Sequence, residues 1–296
     1  MPLLKINLAS LAHYPVPLRL IIFVVALLCL WLPLAAPIYG LVRDPNWVSI
    51  LTLVWLYVAF MLLLRVWGKQ VHRQPHIFQH YGLRFSRQNG LNLLKGLSIG
   101  FFSLLTMFLL QGWLGWIVWQ QPMLSFPRIA LEGLLVAIGI GFAEELFFRG
   151  WLLDELQRDY SLTLSLWLDS SLFAILHFIK PLSEIIRTLP QFLGLWLLGA
   201  ILVWAKRQGT ELKGAGHGNI RVVTPGLLGL PIGLHAGLVG GYYLINVGQL
   251  TRYTNQVPEW VTGVDRNPLA GVLGLVCLGA IALWASRNQP KASHFS

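Results

Sequence analysis

The sequence predicts an all-α polytopic membrane protein with about eight transmembrane helices and an intramembrane cavity. Charged residues make up 11% of the 296 residues and hydrophobic residues 55%, whereas soluble domains carry about 25% charged residues. Such a chain cannot cover a water-facing surface with polar groups, which excludes soluble, fibrous and disordered proteins. We therefore treat residues 1–296 as a single integral membrane domain.

Eight apolar segments are long enough to cross a bilayer, whose hydrocarbon core needs about 20 residues of helix. They are 18–42, 47–67, 93–119, 129–153, 162–180, 189–205, 224–247 and 267–286. The fourth and fifth segments contain acidic residues and are less uniformly apolar. Pro33 and Pro37 are expected to bend the first helix.

Basic residues predict the orientation of the spans, because cytoplasmic loops carry an excess of Lys and Arg. With eight spans both termini lie on one side, and that side holds sixteen of the 22 basic residues. We expect both termini in the cytoplasm, in a bacterial inner membrane or an internal photosynthetic membrane. The net charge of +10 then reflects cytoplasmic loops at the anionic surface of the lipid bilayer, and no nucleic-acid partner is expected.

The longest polar stretch, 68–92, carries His72, His76 and His80 at fourfold spacing. On one helix these side chains would share a face and suit a metal. Pro75 interrupts that helix, and no carboxylate or thiolate lies nearby in the sequence. We interpret the stretch as an interfacial basic segment.

Acidic side chains inside apolar segments are candidates for function, because ionisable groups in a bilayer are costly and usually functional. They are Glu132, Glu144, Glu145 and Asp169. Glu132 follows Arg128 by one helical turn, which predicts an interfacial ion pair.

Glu144 and Glu145 are adjacent, so they lie about 100° apart on a helix and cannot share a face. Arg149 is four residues after Glu145 and stacks beside it. We expect Glu145 to pair with Arg149, which leaves Glu144 free to face a cavity. The alternative is a buried Glu–Arg–Glu cluster that only locks two helices together.

Two histidines lie in later apolar segments. Phe173 precedes His177 by one turn and shares its face. A glycine stripe lies on roughly the opposite face of the helix from His235: Gly229, Gly233, Gly237 and Gly241. The stripe predicts close packing against another helix at the back, so His235 points the other way. A lone intramembrane histidine is often only a hydrogen-bonding partner between helices, but two of them and an unpaired glutamate make a candidate site.

Depth along the helices decides whether the three side chains can meet. If the helix that carries Glu144 ended at Arg149, Glu144 would lie only about 7 Å from the cytoplasmic end of that helix. If the helix continues to about Gln157, then Glu144, His177 and His235 lie about 16–22 Å from their helix ends. We therefore predict a long fourth helix whose last acidic turn, at 154–159, lies at the cytoplasmic interface.

In order and spacing these residues resemble the CPBP family of intramembrane proteases, also called the Abi family. It contains the CAAX-prenyl proteases and bacteriocin-processing proteins, and its pattern is EExxxR, FxxxH and HxxxN or HxxxD on successive helices. The matching residues are Glu144, Glu145, Arg149, Phe173, His177 and His235. They lie in a catalytic-type core at about 125–250.

The resemblance implies an intramembrane endopeptidase that hydrolyses a peptide bond in a membrane-associated protein or peptide. Glu144 would activate a water, and His177 and His235 would bind either a metal or the reacting oxygens. The other three matching residues would order the chamber and shape its wall. With zinc, Glu144, His177 and His235 are the ligands and leave the open position typical of catalytic zinc. Without a metal, Glu144 is the base, a histidine is the electrophile and no cofactor is needed, which is the geometry we favour.

One position departs from the family's pattern. Val239 stands four residues after His235, where the family has Asn or Asp, so a side chain for the oxyanion or the metal is missing. Asn246, three turns after His235, is expected to support the site instead, with Asp169 and Ser170 as alternatives.

The departure at Val239 favours a second function, a non-catalytic scaffold or immunity-type protein that binds a partner in the same cavity. A proton-coupled transporter is a third.

Overall fold

The computed structural model describes residues 8–215 and 219–289, with only the backbone of the strands at 211–215 and 219–224. The described residues are predominantly helical. The helices are α1 (Val16–Leu41), α2 (Pro45–Gln70), α3 (Ile77–His80), α4 (Arg87–Trp113), α5 (Phe126–Glu145), α6 (Leu153–Asp159), α7 (Leu162–Leu176), α8 (Leu182–Thr188), α9 (Gln191–Arg207), α10 (Gly229–Asn246), α11 (Glu259–Thr262) and α12 (Val272–Arg287). Short 3₁₀ turns lie at Leu8–His13, Val264–Arg266 and Pro268–Ala270.

The eight predicted apolar segments are all largely helical, but eight membrane spans are not confirmed. Among the described residues, α1, α2 and α4 are long and apolar enough to cross a membrane. A fourth candidate is the pair α8 and α9, which is bent by 75°. Helices α7 and α12 are apolar but have only 15 and 16 residues, which is short of the roughly 20 residues that a span requires.

Two short antiparallel sheets, which the all-α prediction did not include, end two of the predicted helices early. Strands β1 (Ile117–Trp119) and β4 (Thr251–Tyr253) pair with each other, as do β2 (Glu211–Ala215) and β3 (Asn219–Thr224). Helix α4 therefore ends at Trp113 rather than 119, where Gly115 adopts a φ of 76° that suits a helix terminus. Helix α10 begins at Gly229 rather than 224, because β3 extends to Thr224 and a loop that contains Pro225 follows it.

The chain forms two compact units. Among the described residues, the first contains 8–80 together with Asp154–Asp159. Within it Glu155 is buried and contacts Arg19 Nε at 2.8 Å and His72 Nε2 at 2.5 Å. The location of 154–159 at the cytoplasmic interface stays a prediction, and within this unit Glu155 is a buried residue that contacts two other segments through Arg19 and His72.

The second unit contains Tyr81–Leu153 and the chain from Tyr160 onward. Its centre is α10, which packs against α4 and α5. The glycine stripe lies at the α4 contact as predicted: a Cβ at Gly233 would overlap the Leu93 carbonyl oxygen, and one at Gly237 would overlap that of Leu97. The glycines let the two backbones touch, and the opposite face of α10 is left for His235.

The long fourth helix is also present, but not as a uniform α-helix. Residues Leu146–Leu152 between α5 and α6 are π-helical, and the Leu153 amide donates to the Phe148 carbonyl five residues back. Helical backbone thus runs from Phe126 to Asp159. Short π-helical segments are rare and occur frequently at functional sites, and this one follows Glu144 and Glu145 directly.

Candidate active site

Glu144 and the two histidines meet at one carboxylate oxygen. Glu144 Oε2 lies 3.8 Å from His177 Nε2 and 3.9 Å from His235 Nε2. This oxygen is buried and has no hydrogen-bond partner among the described residues. The side chain of Glu144 as a whole is 32% exposed, as is that of His177, whereas that of His235 is 5% exposed. Distances near 4 Å leave space for a small bridging group between the oxygen and the imidazoles.

Each histidine is oriented through its other ring nitrogen. His177 caps the end of α7, rather than lying inside the span as predicted, and its Nδ1 donates to the Phe173 carbonyl at 2.7 Å. His235 Nδ1 lies 2.9 Å from Glu145 Oε1. A carbonyl or carboxylate oxygen only accepts, so both histidines carry their proton on Nδ1. The Nε2 atom of each histidine then faces Glu144.

Glu145 and Arg149 make the predicted ion pair, with Arg149 Nη1 donating to Glu145 Oε1 at 3.1 Å. Arg149 Nη2 donates to the Gly199 carbonyl at 3.0 Å. Both charged side chains are fully buried. Glu145 therefore has two partners, since the same oxygen contacts both Arg149 and His235. The contact with His235 was not predicted, because sequence spacing cannot show which residue of another helix meets Glu145.

Phe173 forms part of the wall of the site, as expected. Its ring centroid lies 4.6 Å from that of His177 and 6.1 Å from that of His235. The guanidinium of Arg149 stacks over the same ring at 4.5 Å. The ring therefore separates the Arg149 cation from the two imidazoles and contributes a favourable cation–π contact.

A cavity of about 290 Å³ opens beside the histidines. Phe173, His177, His235, Val239 and Tyr242 line it, together with apolar residues of α4, α9 and α12. Val239 thus occupies the wall next to His235 with a side chain that offers no hydrogen bond. The cavity is large enough for one or two apolar side chains of a peptide.

The residues proposed to compensate for Val239 lie elsewhere. Asn246 is exposed at the end of α10 and donates through Nδ2 to the Tyr242 hydroxyl at 2.8 Å. The structure does not bring Asn246 to the site. Ser170 Oγ donates to the Leu166 carbonyl on its own helix at 2.8 Å. Asp169 is buried beside Arg149, with Oδ2 3.5 Å from Nε.

The zinc prediction names the same Glu144, His177 and His235. The Nδ1 contacts of the two histidines are of the kind that orient histidine ligands of metals. Within residues 8–215 and 219–289, however, no three His, Cys, Asp or Glu side chains are placed to hold a metal ion. The zinc site therefore stays a prediction.

Comparison with known families supports the resemblance drawn from the motifs. Residues 126–240 match the Rce1-like family, described as type II CAAX prenyl endopeptidase Rce1-like. The matched segment extends from the first residue of α5 to just beyond His235 and Val239, so it includes Glu144, His177 and His235. No curated protein and no solved structure matches the chain.

Proposed function

We propose, from the premise that residues 126–240 are an Rce1-like domain, that the protein is an intramembrane endopeptidase. Its substrate is a membrane-associated peptide or protein whose prenylated cysteine lies in a carboxy-terminal CAAX sequence, as the description of the matched family suggests. The observation that supports this most directly is the convergence of two imidazole Nε2 atoms on one buried oxygen of Glu144.

The proposed reaction uses Glu144 as the general base. Glu144 takes a proton from a water held between its carboxylate and the imidazoles, and the hydroxide oxygen attacks the peptide carbonyl carbon. His177 or His235, in the imidazolium form that carries a proton on Nε2 as well as on Nδ1, donates to the oxyanion and keeps that proton, in the role that Val239 cannot take. Glu144 returns the proton to the leaving nitrogen as the C–N bond breaks. No step passes through a metal.

The test is cleavage of a farnesylated peptide with a CAAX ending by purified protein in liposomes. Glu144→Gln keeps the size of the side chain but removes the base, so we expect turnover to fall at least about 10³-fold. Glu132→Gln is the matched control on the same helix, since Glu132 is exposed and pairs only locally with Arg128 at 2.7 Å. Its turnover is expected within about twofold of the parent.

Two outcomes of this experiment would contradict the proposed mechanism. Cleavage that survives Glu144→Gln would remove Glu144 from the chemistry. Cleavage that is abolished by a chelator and restored by zinc would show that the metal-free sequence of steps is wrong, and would return Glu144, His177 and His235 to the role of ligands.

A second function is supported by Val239. The apolar cavity beside His235 lacks the polar side chain of the family's last motif, which favours a scaffold that binds a partner peptide without cutting it. In that case the farnesylated peptide would bind to the parent protein and to Glu144→Gln with equal affinity, and neither protein would release a product.

A further inference from the structure

Asp169 lies in the middle of the apolar helix α7 and is fully buried. Its ion-pair partner is Arg149, and neither carboxylate oxygen has a hydrogen-bond partner among the described residues. The Nε of Arg149 likewise has no hydrogen-bond partner there. Asp169 is outside the three motifs of the family pattern. Burying a carboxylate is costly unless a cation faces it, so this residue requires an explanation.

Three elements hold the guanidinium of Arg149. Nη1 bonds to Glu145 at the end of α5, Nη2 bonds to the Gly199 carbonyl in α9, and the Nε edge faces Asp169 in α7. Its face covers the ring of Phe173. Because the guanidinium is a rigid planar group, fixing all of its edges fixes the position of every N–H.

The position of Arg149 matters for the reacting groups because Glu145 Oε1 is shared. The same oxygen accepts from Arg149 Nη1 at 3.1 Å and faces His235 Nδ1 at 2.9 Å. The other oxygen, Oε2, is buried and has no partner among the described residues. If Arg149 lost Asp169, it could turn and bind both oxygens of Glu145, which would draw Oε1 away from His235.

We propose that Asp169 is a positioning residue: it holds the Nε edge of Arg149 so that Glu145 keeps one oxygen for His235 and aims its Nε2 at Glu144. Asp169 itself touches no reacting atom. The predicted effect of Asp169 on catalysis rests on the proposed function. Its predicted effect on the orientation of His235 does not, because that orientation can be measured without any substrate.

The kinetic test is Asp169→Asn in the liposome assay. Removal of a supporting residue of this kind typically lowers activity about 10–100-fold, and we expect that loss in kcat with KM within about twofold. Ser165→Ala is the matched control, since Ser165 is buried one turn earlier on α7 and its hydroxyl also lacks a partner among the described residues.

A double variant of Asp169→Asn with Arg149→Met is expected to lose no more activity than Arg149→Met alone, because Asp169 acts through Arg149. Additive losses would overturn the proposal.

The second test is the ¹⁵N NMR signal of His235 in labelled protein, assigned by its absence in His235→Gln. In the parent protein we expect the tautomer with the proton on Nδ1. In Asp169→Asn we expect this signal to shift or to split, and an unchanged signal would overturn the proposal. If the parent protein does not cleave the farnesylated peptide, the proposed function fails while this measurement still decides the role of Asp169.

Should Asp169→Asn not fold, Asp169→Glu takes its place. The additional methylene displaces the edge of the guanidinium while the charge is kept. The His235 signal is then expected to shift, and an unshifted signal would overturn the proposal as before.

Discussion

Asp154 and Glu155 are neighbours in α6 that have different histidine partners. Asp154 Oδ1 lies 2.8 Å from His80 Nε2, and Asp154 Oδ2 accepts from Arg158 at 2.8 Å. Burial by itself would raise the pKa of Asp154, but the hydrogen bond from His80 and the charge of Arg158 outweigh it and lower the pKa to about 2. Burial would also raise the pKa of Glu155, but its contacts with His72, Trp67 and Arg19 outweigh burial and lower the pKa.

These lowered pKa values predict an acid-sensitive first unit. A carboxylate whose pKa is depressed by folding stabilises the protein above its unfolded pKa of about 4, and this contribution is lost as pH falls toward the folded pKa. Asp154 alone contributes on the order of 2 kcal/mol. We expect the unit to become susceptible to proteolysis between about pH 4 and pH 2 in detergent, as followed by the appearance of cleavage fragments.

Asp154→Asn with Glu155→Gln is the informative variant for this prediction. It is expected to be less stable than the parent at pH 6 and to lose little further stability on acidification. A variant whose stability falls with pH as steeply as that of the parent would contradict the assignment.

At the scale of residues, sequence reasoning identified Glu144, Glu145, Arg149 and both histidines from their cost in a bilayer, but not all of their contacts. The Glu145–Arg149 pair follows from helical spacing alone. The His235–Glu145 contact and the partners of His72 depend on which helices pack together, and one sequence contains no such information. Asp169 was visible as a buried acid, and only the fold assigns it a partner.

At the scale of elements, the glycine stripe on α10 gave a correct packing face, because small residues at fourfold spacing have few other uses in an apolar helix. The π-helical segment and the two short sheets were missed. Strands of three to six residues carry little periodic signal, and a π-helical segment differs from an α-helix mainly in its backbone hydrogen bonds.

Packing between α10 and α4 predicts the outcome of one substitution at the glycine stripe. Gly233→Ala introduces a Cβ into the Leu93 carbonyl oxygen, so the helices must separate, and we expect a loss of about 1–3 kcal/mol in stability. Gly139→Ala on α5 is the control, because a Cβ there meets nothing within 4 Å. It is expected to be neutral or up to about 1 kcal/mol more stable through helix propensity. Thermal unfolding in detergent compares the two, and equal effects would contradict the packing argument.

At the scale of the whole molecule, apolar composition indicated a membrane protein correctly, and among the described residues three of the predicted spans, or four with the bent pair α8 and α9, are long and apolar enough to cross a membrane. The number of spans matters because an even number places both termini on one side of the membrane, whereas an odd number separates them. The prediction of eight spans therefore carries with it the prediction that the termini share a side.

The charge distribution predicts that both termini face the cytoplasm. A fluorescent protein fused after residue 289 is expected to be fluorescent, and alkaline phosphatase fused at the same place to be inactive, because the first matures inside and the second only outside. Active phosphatase at this position would place the C-terminus outside and contradict the predicted orientation.

The π-helical segment at Leu146–Leu152 has a consequence for comparing relatives. Its hydrogen bonds span five residues where an α-helix spans four, so it accommodates more residues in the same length. A relative with one residue fewer here would have a plain α-helix, and the later side chains would keep nearly the same faces, because the wider π-helical turns absorb the additional residue. A one-residue gap at this place in an alignment would therefore mark the loss of the π-helical segment and not a rotated helix or a shortened loop.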